Sequence, residues 1–224
     1  MAYILSIETA TAAGSVALHH NGVLRSAFYM HNSHSHSGSI APAIQFIMQE
    51  AGVTLQELDA IAVGSGPGSY TGLRIGMSVA KGLCFSLNLP LIAIPTLQLM
   101  AAGMRDATTT EALLMPMLDA RRMEVFTALY NHNLEEVKAA KPFVLTDEAS
   151  QAEWFTGVNS IIIAGDGAAK AVEPLQKFGI HHKPIFNAVA RDMGELALKA
   201  YTNEQFEVVA YFEPFYLKEP ISKT

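Results

Sequence analysis

The segment formed by residues 64–76 constrains the fold of this chain more than any other. It reads GSGPGSYTGLRIG and follows a short apolar run at residues 61–63. The apolar residues that come after it recur at helical spacing. A strand, a glycine-rich turn and a helix in this order often place backbone N–H groups around an anion. No Gly-Lys-Ser/Thr triplet follows, so the segment is not a Walker A loop. The chain therefore has the outline of a phosphate site without its usual chemistry.

Composition favours a folded protein that does not bind nucleic acid alone. Half of the 224 residues are hydrophobic and only 16% are charged, which predicts a sizeable buried core. The formal net charge is -6, and the lysines and arginines are scattered. Proteins that bind RNA or DNA autonomously usually have a basic face, so autonomous tRNA binding is not expected. A contribution to a composite RNA site with a basic partner stays open.

Other features of the chain favour a cytoplasmic location. Cys84 is the only cysteine, so no disulfide forms within the chain, which fits a reducing compartment. The first residues have no basic segment before their apolar run, unlike a signal peptide. No apolar stretch reaches the roughly 18 residues that span a bilayer. We therefore expect a soluble protein without a membrane partner.

The hydrophobic pattern predicts an α/β chain with two similar halves. The predicted strands are residues 3–8, 15–20, 23–30, 58–64, 89–94, 113–118, 124–130, 133–143 and 161–164. Predicted helices cover residues 40–51, 71–87 and 188–201. Asn21-Gly22 is a hairpin signal, and Gly52 predicts a helix end. Gly103 and the threonine run at 108–110 predict the boundary between the halves.

We therefore expect two lobes. The N-terminal lobe comprises residues 1–105, and the tail at residues 203–224 is expected to pack back on it. The C-terminal lobe comprises residues 106–202. No sequence repeat between the halves is strong enough to establish this division.

The glycine-rich segment also resembles a family signature. Residues 66–76, GPGSYTGLRIG, and the AKGL sequence that follows at 80–83 are similar to the signature of the TsaB family, also called YeaZ. Three further stretches appear in the family's order: IETA at 7–10, DAR and EVF at 119–126, and PFYL at 214–217. Tyr70 stands where the family more often has Phe.

The resemblance implies a two-lobed fold of the actin/Hsp70/sugar-kinase (ASKHA) type. It also implies a role in making threonylcarbamoyladenosine, the modified base beside the anticodon of tRNAs that read codons beginning with A. TsaB usually works as the partner of a catalytic paralogue, TsaD, and with an ATPase, TsaE. No cofactor of its own is expected, and ATP or ADP would bind only at an interface within the complex.

The positions that match the metal ligands of TsaD differ in this chain. Two histidines of the paralogue, spaced i, i+4, align with Thr96 and Met100, and its third ligand aligns loosely with Phe186. An acidic pair of the paralogue is replaced by Ala12 and Ala13. None of these residues is a competent ligand there. We therefore interpret the chain as a catalytically silent paralogue with no metal site.

Two helices are candidates for the assembly interface. Gly72, Gly76 and Ala80 share one stripe, which would let another backbone approach closely, either a partner's helix or an element of the same lobe. Spacing alone does not separate the two alternatives, but the resemblance favours the interface. The candidate interface residues are Ile40, Ile44, Ile47, Gly72, Arg74, Ile75, Gly76, Val79, Ala80 and Leu83. A self-complementary surface would also form a homodimer when TsaD is absent.

A second set of residues could face a nucleotide. It consists of Glu8, Thr9, Gly66, Gly68, Asp119, Gly165 and Asp166. For the glycine-rich loop we favour a tight strand-to-helix turn, and for Asp119 a turn fixed by surface salt bridges. His31, His34 and His36 form a tract whose spacing fits no defined metal site, so we interpret it as a solvated loop. The same interpretation applies to the histidine pairs at 19–20 and 181–182.

Two hypotheses follow. The first is a non-catalytic subunit that binds and activates TsaD. The second is an independent ATP-dependent phosphotransferase of the same fold, with Glu8, Asp119 or Asp166 positioning magnesium. A zinc peptidase is not expected, because the chain has no HExxH motif.

Overall fold

The computed structural model describes residues 1–30, 36–108, 112–183 and 187–218. The chain divides into two compact units. The first comprises Met1–Leu99 and the described residues from Ala188 onward, and the second comprises Met100–Asn187. No helix of the described residues has the length and apolarity needed to cross a bilayer.

The first unit is built on a five-stranded sheet. Its strands are β1 (Tyr3–Glu8), β2 (Gly14–His20), β3 (Val23–Met30), β4 (Ala60–Gly64) and β5 (Leu91–Ile94), in the order β3-β2-β1-β4-β5. The β1–β2 and β2–β3 pairs are antiparallel, whereas β1–β4 and β4–β5 are parallel. Asn21 and Gly22 connect β2 to β3 with φ angles of 51° and 77°. The hairpin predicted from this Asn-Gly pair is confirmed.

Helices cover both faces of this sheet. Side chains alternate across β1, so Leu5 and Ile7 join the core beneath α1 (His36–Ala51) and α2 (Tyr70–Leu87). Ser6 lies on the opposite face and bonds to His19, whose other ring nitrogen contacts the carbonyl of Arg191. That face is covered by the 3-10 helix Ala190–Met193 and by α6 (Gly194–Thr202).

The division between the units differs from the expected one. Residues 188–202 were expected in the C-terminal lobe, but they belong to the first unit because they pack against β1, β2 and β3. The expected boundary at 105–106 falls within α3 (Thr96–Asp106), a helix that runs through Gly103. Most of its residues are buried, and this packing outweighs the low helix propensity of glycine.

The second unit repeats the sheet of the first. Its strands are β6 (Leu113–Asp119), β7 (Glu124–Tyr130), β8 (Glu136–Val144), β9 (Ile161–Ala164) and β10 (Ile180–Lys183), in the order β10-β9-β6-β7-β8. The β6–β7 and β7–β8 pairs are antiparallel, whereas β6–β9 and β9–β10 are parallel. Each sheet thus has two antiparallel and two parallel pairs. Trp154 and Phe143 lie in its core. The helices α4 (Glu148–Phe155) and α5 (Val172–Leu175) complete the unit.

Some local predictions were wrong. His19 is buried in the first sheet and not solvated, because Ser6 and the Arg191 carbonyl satisfy both ring nitrogens. His181 and His182 lie on β10 and not beside a turn, although both are exposed. The helices α3 and α4 and the strand β10 have no counterpart in the prediction. His31 and His34 lie outside the described residues, and His36 begins α1.

The C-terminal tail, residues 203–218, crosses the first unit. The N–H of Glu207 donates to the carbonyl of Leu91 over 2.9 Å, and the N–H of Phe215 donates to the carbonyl of Ser65 over 2.8 Å. Lys81 of α2 donates from Nζ to the carbonyls of Ala210 and Phe212 over 3.2 and 3.1 Å. The tail is therefore bonded to β5, to the glycine-rich loop and to α2.

The Lys81→Met variant should loosen the tail. It removes both hydrogen bonds to the tail carbonyls but keeps the aliphatic stem, so we expect a loss of about 1 kcal/mol in the free energy of unfolding. Hydrogen exchange at the amides of Glu207 and Phe215 should accelerate. Lys199→Met, on the exposed side of α6, is the control. Equal exchange in both variants would show that Lys81 does not hold the tail.

Candidate functional site

The glycine-rich loop between β4 and α2 uses its N–H groups within the chain. Four of these donors have partners in the same unit: Ser65 N to Ile94 O at 2.9 Å, Gly66 N to Thr96 Oγ1 at 3.1 Å, Ser69 N to Ala10 O at 2.7 Å and Gly72 N to Ser69 Oγ at 3.2 Å. Donors that are satisfied in this way cannot also surround a phosphate. The loop is therefore a tight strand-to-helix turn.

The tail covers the same loop. Gly66 has a φ of 105°, which an L side chain rarely adopts, and a Cβ there would lie 2.4 Å from the carbonyl oxygen of Phe215. A Cβ at Gly68 would lie 2.5 Å from that of Ala10. Both glycines, predicted to face a nucleotide, are instead in close contact with neighbouring chain segments.

The two positions that align with metal-binding histidines have packing roles. Thr96 is buried, its N–H donates to the carbonyl of Gly66 over 2.8 Å, and its hydroxyl accepts from the N–H of the same residue. Met100 is buried, and its terminal methyl lies beside Gly165. Phe186 lies outside the described residues. Within the described ranges, no three His, Cys, Asp or Glu side chains are grouped to hold a metal ion.

Glu8 is enclosed at the end of β1. Its side chain is fully buried, and one carboxylate oxygen accepts from the N–H of Ala10 over 2.5 Å. The other oxygen has no hydrogen-bond partner among the residues that the structure describes, and a Cβ at the adjacent Gly64 would lie 2.0 Å from it. Burial raises the pKa of Glu8 from 4.5 to about 7, because the charged form loses its hydration.

The predicted small-residue stripe of α2 faces inward. A Cβ at Gly72 would lie 2.1 Å from the carbonyl oxygen of Thr9, and one at Gly76 would lie 2.2 Å from its hydroxyl oxygen. That hydroxyl donates to the carbonyl of Gly72 over 2.8 Å. Ala80 is completely buried in the core of the same unit. Gly72, Gly76 and Ala80 therefore pack α2 against its own unit, which corrects their assignment to an interface.

The outward face of α2 carries other residues. Ser78 and Gly82, four residues apart, are exposed, and a Cβ at Gly82 would meet no atom of the described residues within 4 Å. Phe85 is 88% exposed. Arg74 is also exposed and lies over the ring of Tyr70. Periodicity identified the helix but not which stripe faces outward, so Ser78, Gly82 and Phe85 were missed.

An apolar groove lies between α1 and α2. It has a volume of about 470 Å³. Its lining residues are Ala41, Ile44, Gln45, Met48, Val53, Thr54, Leu55, Val79 and Leu83. Three of the predicted interface residues thus line the groove: Ile44 of α1 and Val79 and Leu83 of α2. Ile75 of α2 is partly exposed. Ile40 and Ile47 are fully buried and stabilise α1 from within, so they do not reach this surface.

A second polar cluster lies in the other unit. The Asp166 carboxylate accepts from the N–H of Asp119 over 2.8 Å, and Lys170 forms a close ion pair with the Asp119 carboxylate. Lys170 lowers the pKa of Asp119, whereas burial raises that of Asp166. Gly165 has a φ of 118°, and its Cα lies against the carbonyl of Met117. Asp119 is thus already paired with a cation of its own chain.

Comparison with known proteins identifies the family. The family model for TsaD, tRNA N6-adenosine threonylcarbamoyltransferase, matches residues 30–211. The tRNA threonylcarbamoyladenosine biosynthesis protein TsaB of Escherichia coli is 32% identical, over 98% of this chain and 96% of that protein. The chain belongs to the TsaB family. Its role therefore lies in the biosynthesis of tRNA threonylcarbamoyladenosine.

Solved structures agree with this assignment. A Pseudomonas aeruginosa protein described as similar to peptidase YEAZ superposes with a TM-score of 0.86 at 28% identity, over 97% of this chain and all of the other. The component A of (R)-2-hydroxyglutaryl-CoA dehydratase from Acidaminococcus fermentans has a TM-score of 0.52 at 11% identity, over 92% and 100% of the chains. This distant likeness concerns the fold alone and confirms the predicted actin/Hsp70/sugar-kinase type.

Replacing Gly76 or Gly82 of α2 by alanine should change the free energy of unfolding of this TsaB-family chain in opposite directions. Gly76→Ala places a methyl group on the Thr9 hydroxyl and should destabilise by about 1–3 kcal/mol. Gly82→Ala meets open space and should stabilise by up to about 1 kcal/mol through helix propensity. Urea unfolding of both variants measures the difference. Similar values would mean that α2 does not pack on Thr9 through Gly76.

The buried Glu8 should make stability depend on pH. Between pH 4.5 and 7 the folded protein retains a proton that the unfolded chain releases, so stability falls as pH rises and levels off above 7, by roughly 3 kcal/mol. Glu8→Gln keeps an acceptor for the N–H of Ala10 and cannot ionise, so it should remove this decline. Urea unfolding from pH 4.5 to 8 tests it, with the exposed Glu50→Gln as control. A decline that persists in Glu8→Gln would assign it to other groups.

Proposed function

We propose that this chain is a non-catalytic subunit that binds and activates TsaD. The complex would add the threonylcarbamoyl group to the adenosine 3′ of the anticodon in tRNAs that read codons beginning with A, in the cytoplasm and with the ATPase TsaE. The observation that carries the proposal is the outward face of α1 and α2, which combines an apolar groove with an open row of small residues.

The α1–α2 surface has the properties of a helix-docking face. Ser78 and Gly82 let a second backbone approach α2 closely, and the apolar side chains beside them, Val79 and Leu83, would be buried by contact. Phe85 exposes a large aromatic ring to water on the same helix. Large aromatic residues at the centre of an interface often carry much of the binding energy. Phe85 would supply such a residue to a docked helix.

Packing at the former ligand positions supports a non-catalytic role. By the family resemblance, Thr96 and Met100 align with two metal ligands of the paralogue, and neither side chain suits that metal chemistry. The Thr96 hydroxyl also already accepts a hydrogen bond from the N–H of Gly66. The subunit would contribute binding energy and position rather than bond-making groups.

The phosphotransferase hypothesis receives less support from the same residues. Magnesium held by a carboxylate needs an accessible oxygen, but Glu8 is enclosed and Asp119 is paired with Lys170. Four N–H groups of the glycine-rich loop that could hold phosphate bond within the chain instead. We propose that ATP or ADP binds only at an interface of the complex. Calorimetry of the isolated chain with ATP and magnesium tests this, and tight binding with turnover would favour the kinase hypothesis.

The same surface would form a homodimer when TsaD is absent. A two-fold axis brings identical faces together, so the row at Ser78 and Gly82 would lie against its own copy. Addition of TsaD would then convert the homodimer into the heterodimer, because both partners would compete for one face.

Gly82→Leu should block assembly without unfolding the subunit. The new side chain points into open space in the monomer but would hold a docked helix away, so we expect TsaD affinity to fall at least about tenfold, roughly 1.4 kcal/mol. Size-exclusion chromatography and calorimetry with TsaD measure the effect. The homodimer should weaken in parallel.

The control is Ala152→Leu, a similar change on the exposed side of α4 in the other unit. It should leave both associations unchanged. If Gly82→Leu binds TsaD and supports tRNA modification as well as the control does, the α1–α2 surface is not the interface.

A further inference from the structure

The turn between β6 and β7 holds two consecutive arginines in an unusual conformation. Arg121 and Arg122 have φ angles of 67° and 48°, in the left-handed region. Residues with a Cβ pay a steric penalty there, and asparagine and aspartate tolerate it best. The backbone of this turn would thus be better served by Asn-Gly. The backbone conformation therefore does not favour arginine at either position.

The turn is fixed from beneath by Lys170. Its ammonium donates to the carbonyl of Arg122 over 2.7 Å and to that of Glu124 over 2.6 Å, and it pairs with the Asp119 carboxylate. The same carboxylate accepts from the N–H of Arg121 over 2.9 Å. A lysine with three acceptors fastens both sides of the turn. The two arginines therefore project from a rigid base and not from a loose loop.

Both guanidinium groups are available to a ligand. Arg121 and Arg122 are exposed, and neither has a salt-bridge partner within 4 Å among the residues that the structure describes. Asp119 is occupied by Lys170. Three carboxylates lie beside these cations: Asp119, which pairs with Lys170, Asp166, which accepts from the N–H of Asp119, and Glu124. The local charge is therefore balanced, and the two arginines are exposed cations without a salt bridge among the described residues, on a chain whose formal net charge is -6.

We propose that the Arg121–Arg122 turn binds phosphate groups, chiefly those of the RNA backbone. Guanidinium groups match the oxygen geometry of a phosphate with paired hydrogen bonds and remain charged at any physiological pH. A protein of net negative charge would supply such a contact only as one part of a larger site. The inference rests on the proposed function, because the complex would provide the remaining basic surface. A free nucleotide would present the same phosphate chemistry.

The variant Arg121→Asn/Arg122→Gly separates binding from folding. Both new residues suit left-handed φ, so the melting temperature should rise by about 2–4 °C. The affinity of the assembled complex with TsaD for a tRNA transcript should nevertheless fall about tenfold. The slope of log K against log salt should become shallower by about one for each lost phosphate contact. A defect caused by misfolding would instead lower the melting temperature.

The control removes two exposed lysines of the same unit, Lys177→Asn/Lys183→Asn. It should change tRNA affinity by less than about twofold, because neither lysine lies at the turn. Fluorescence anisotropy of labelled tRNA at two salt concentrations measures both variants, and ATP titration of the same samples identifies the source of the phosphate. Reduced ATP affinity with unchanged tRNA affinity would assign the turn to a free nucleotide.

The failures of the two proposals are distinguishable. A chain that does not assemble with TsaD on size-exclusion chromatography overturns the proposed function and this inference with it. An assembled complex whose affinities for tRNA and ATP are both unchanged by the arginine substitutions overturns only the phosphate contact.

Discussion

The close approach of α2 to Thr9 is the contact on which the first unit depends. Gly72 and Gly76 let the helix backbone touch the carbonyl and hydroxyl of Thr9, which no larger residue would allow. The Thr9 hydroxyl adds a hydrogen bond to the carbonyl of Gly72. With this stripe held inside, the rotation of α2 about its axis is set. The position of α2 then determines the course of the glycine-rich loop before it.

The rest of the loop follows from that constraint. Once α2 is seated, Ser69 bonds to Ala10 and Gly66 bonds to Thr96, so the loop is closed by its own unit. The tail adds Phe215 on the outer side of Gly66. A phosphate loop needs free N–H donors and an open approach, whereas here four of the N–H groups bond within the chain and the tail lies against Gly66. Glycines suited to surround an anion also suit dense packing, because both uses require a missing side chain.

The sequence predicts the order of strands and helices well, but it predicts poorly which distant residues each one contacts. Strong local signals, such as Asn21-Gly22 and the apolar runs, identify most strands because turn chemistry and alternation act over a few residues. The helix at 96–106 was missed because Gly103 weakens its local signal while burial stabilises it. Burial of His19 depends on Ser6 and on Arg191, which is 172 residues away. No local pattern contains such a contact.

Which face of α2 points outward is likewise not predictable from the sequence alone. Gly72, Gly76 and Ala80 form one row, and Ser78, Gly82 and Ser86 form another with the same spacing. A helix with two small-residue rows can present either one outward, and spacing alone favours neither. Thr9 decides between them, because it fills the space beside the first row. The second row is then exposed, and Val79 and Leu83 of the same helix line the groove between α1 and α2, so the packing on Thr9 also determines which face of α2 is exposed.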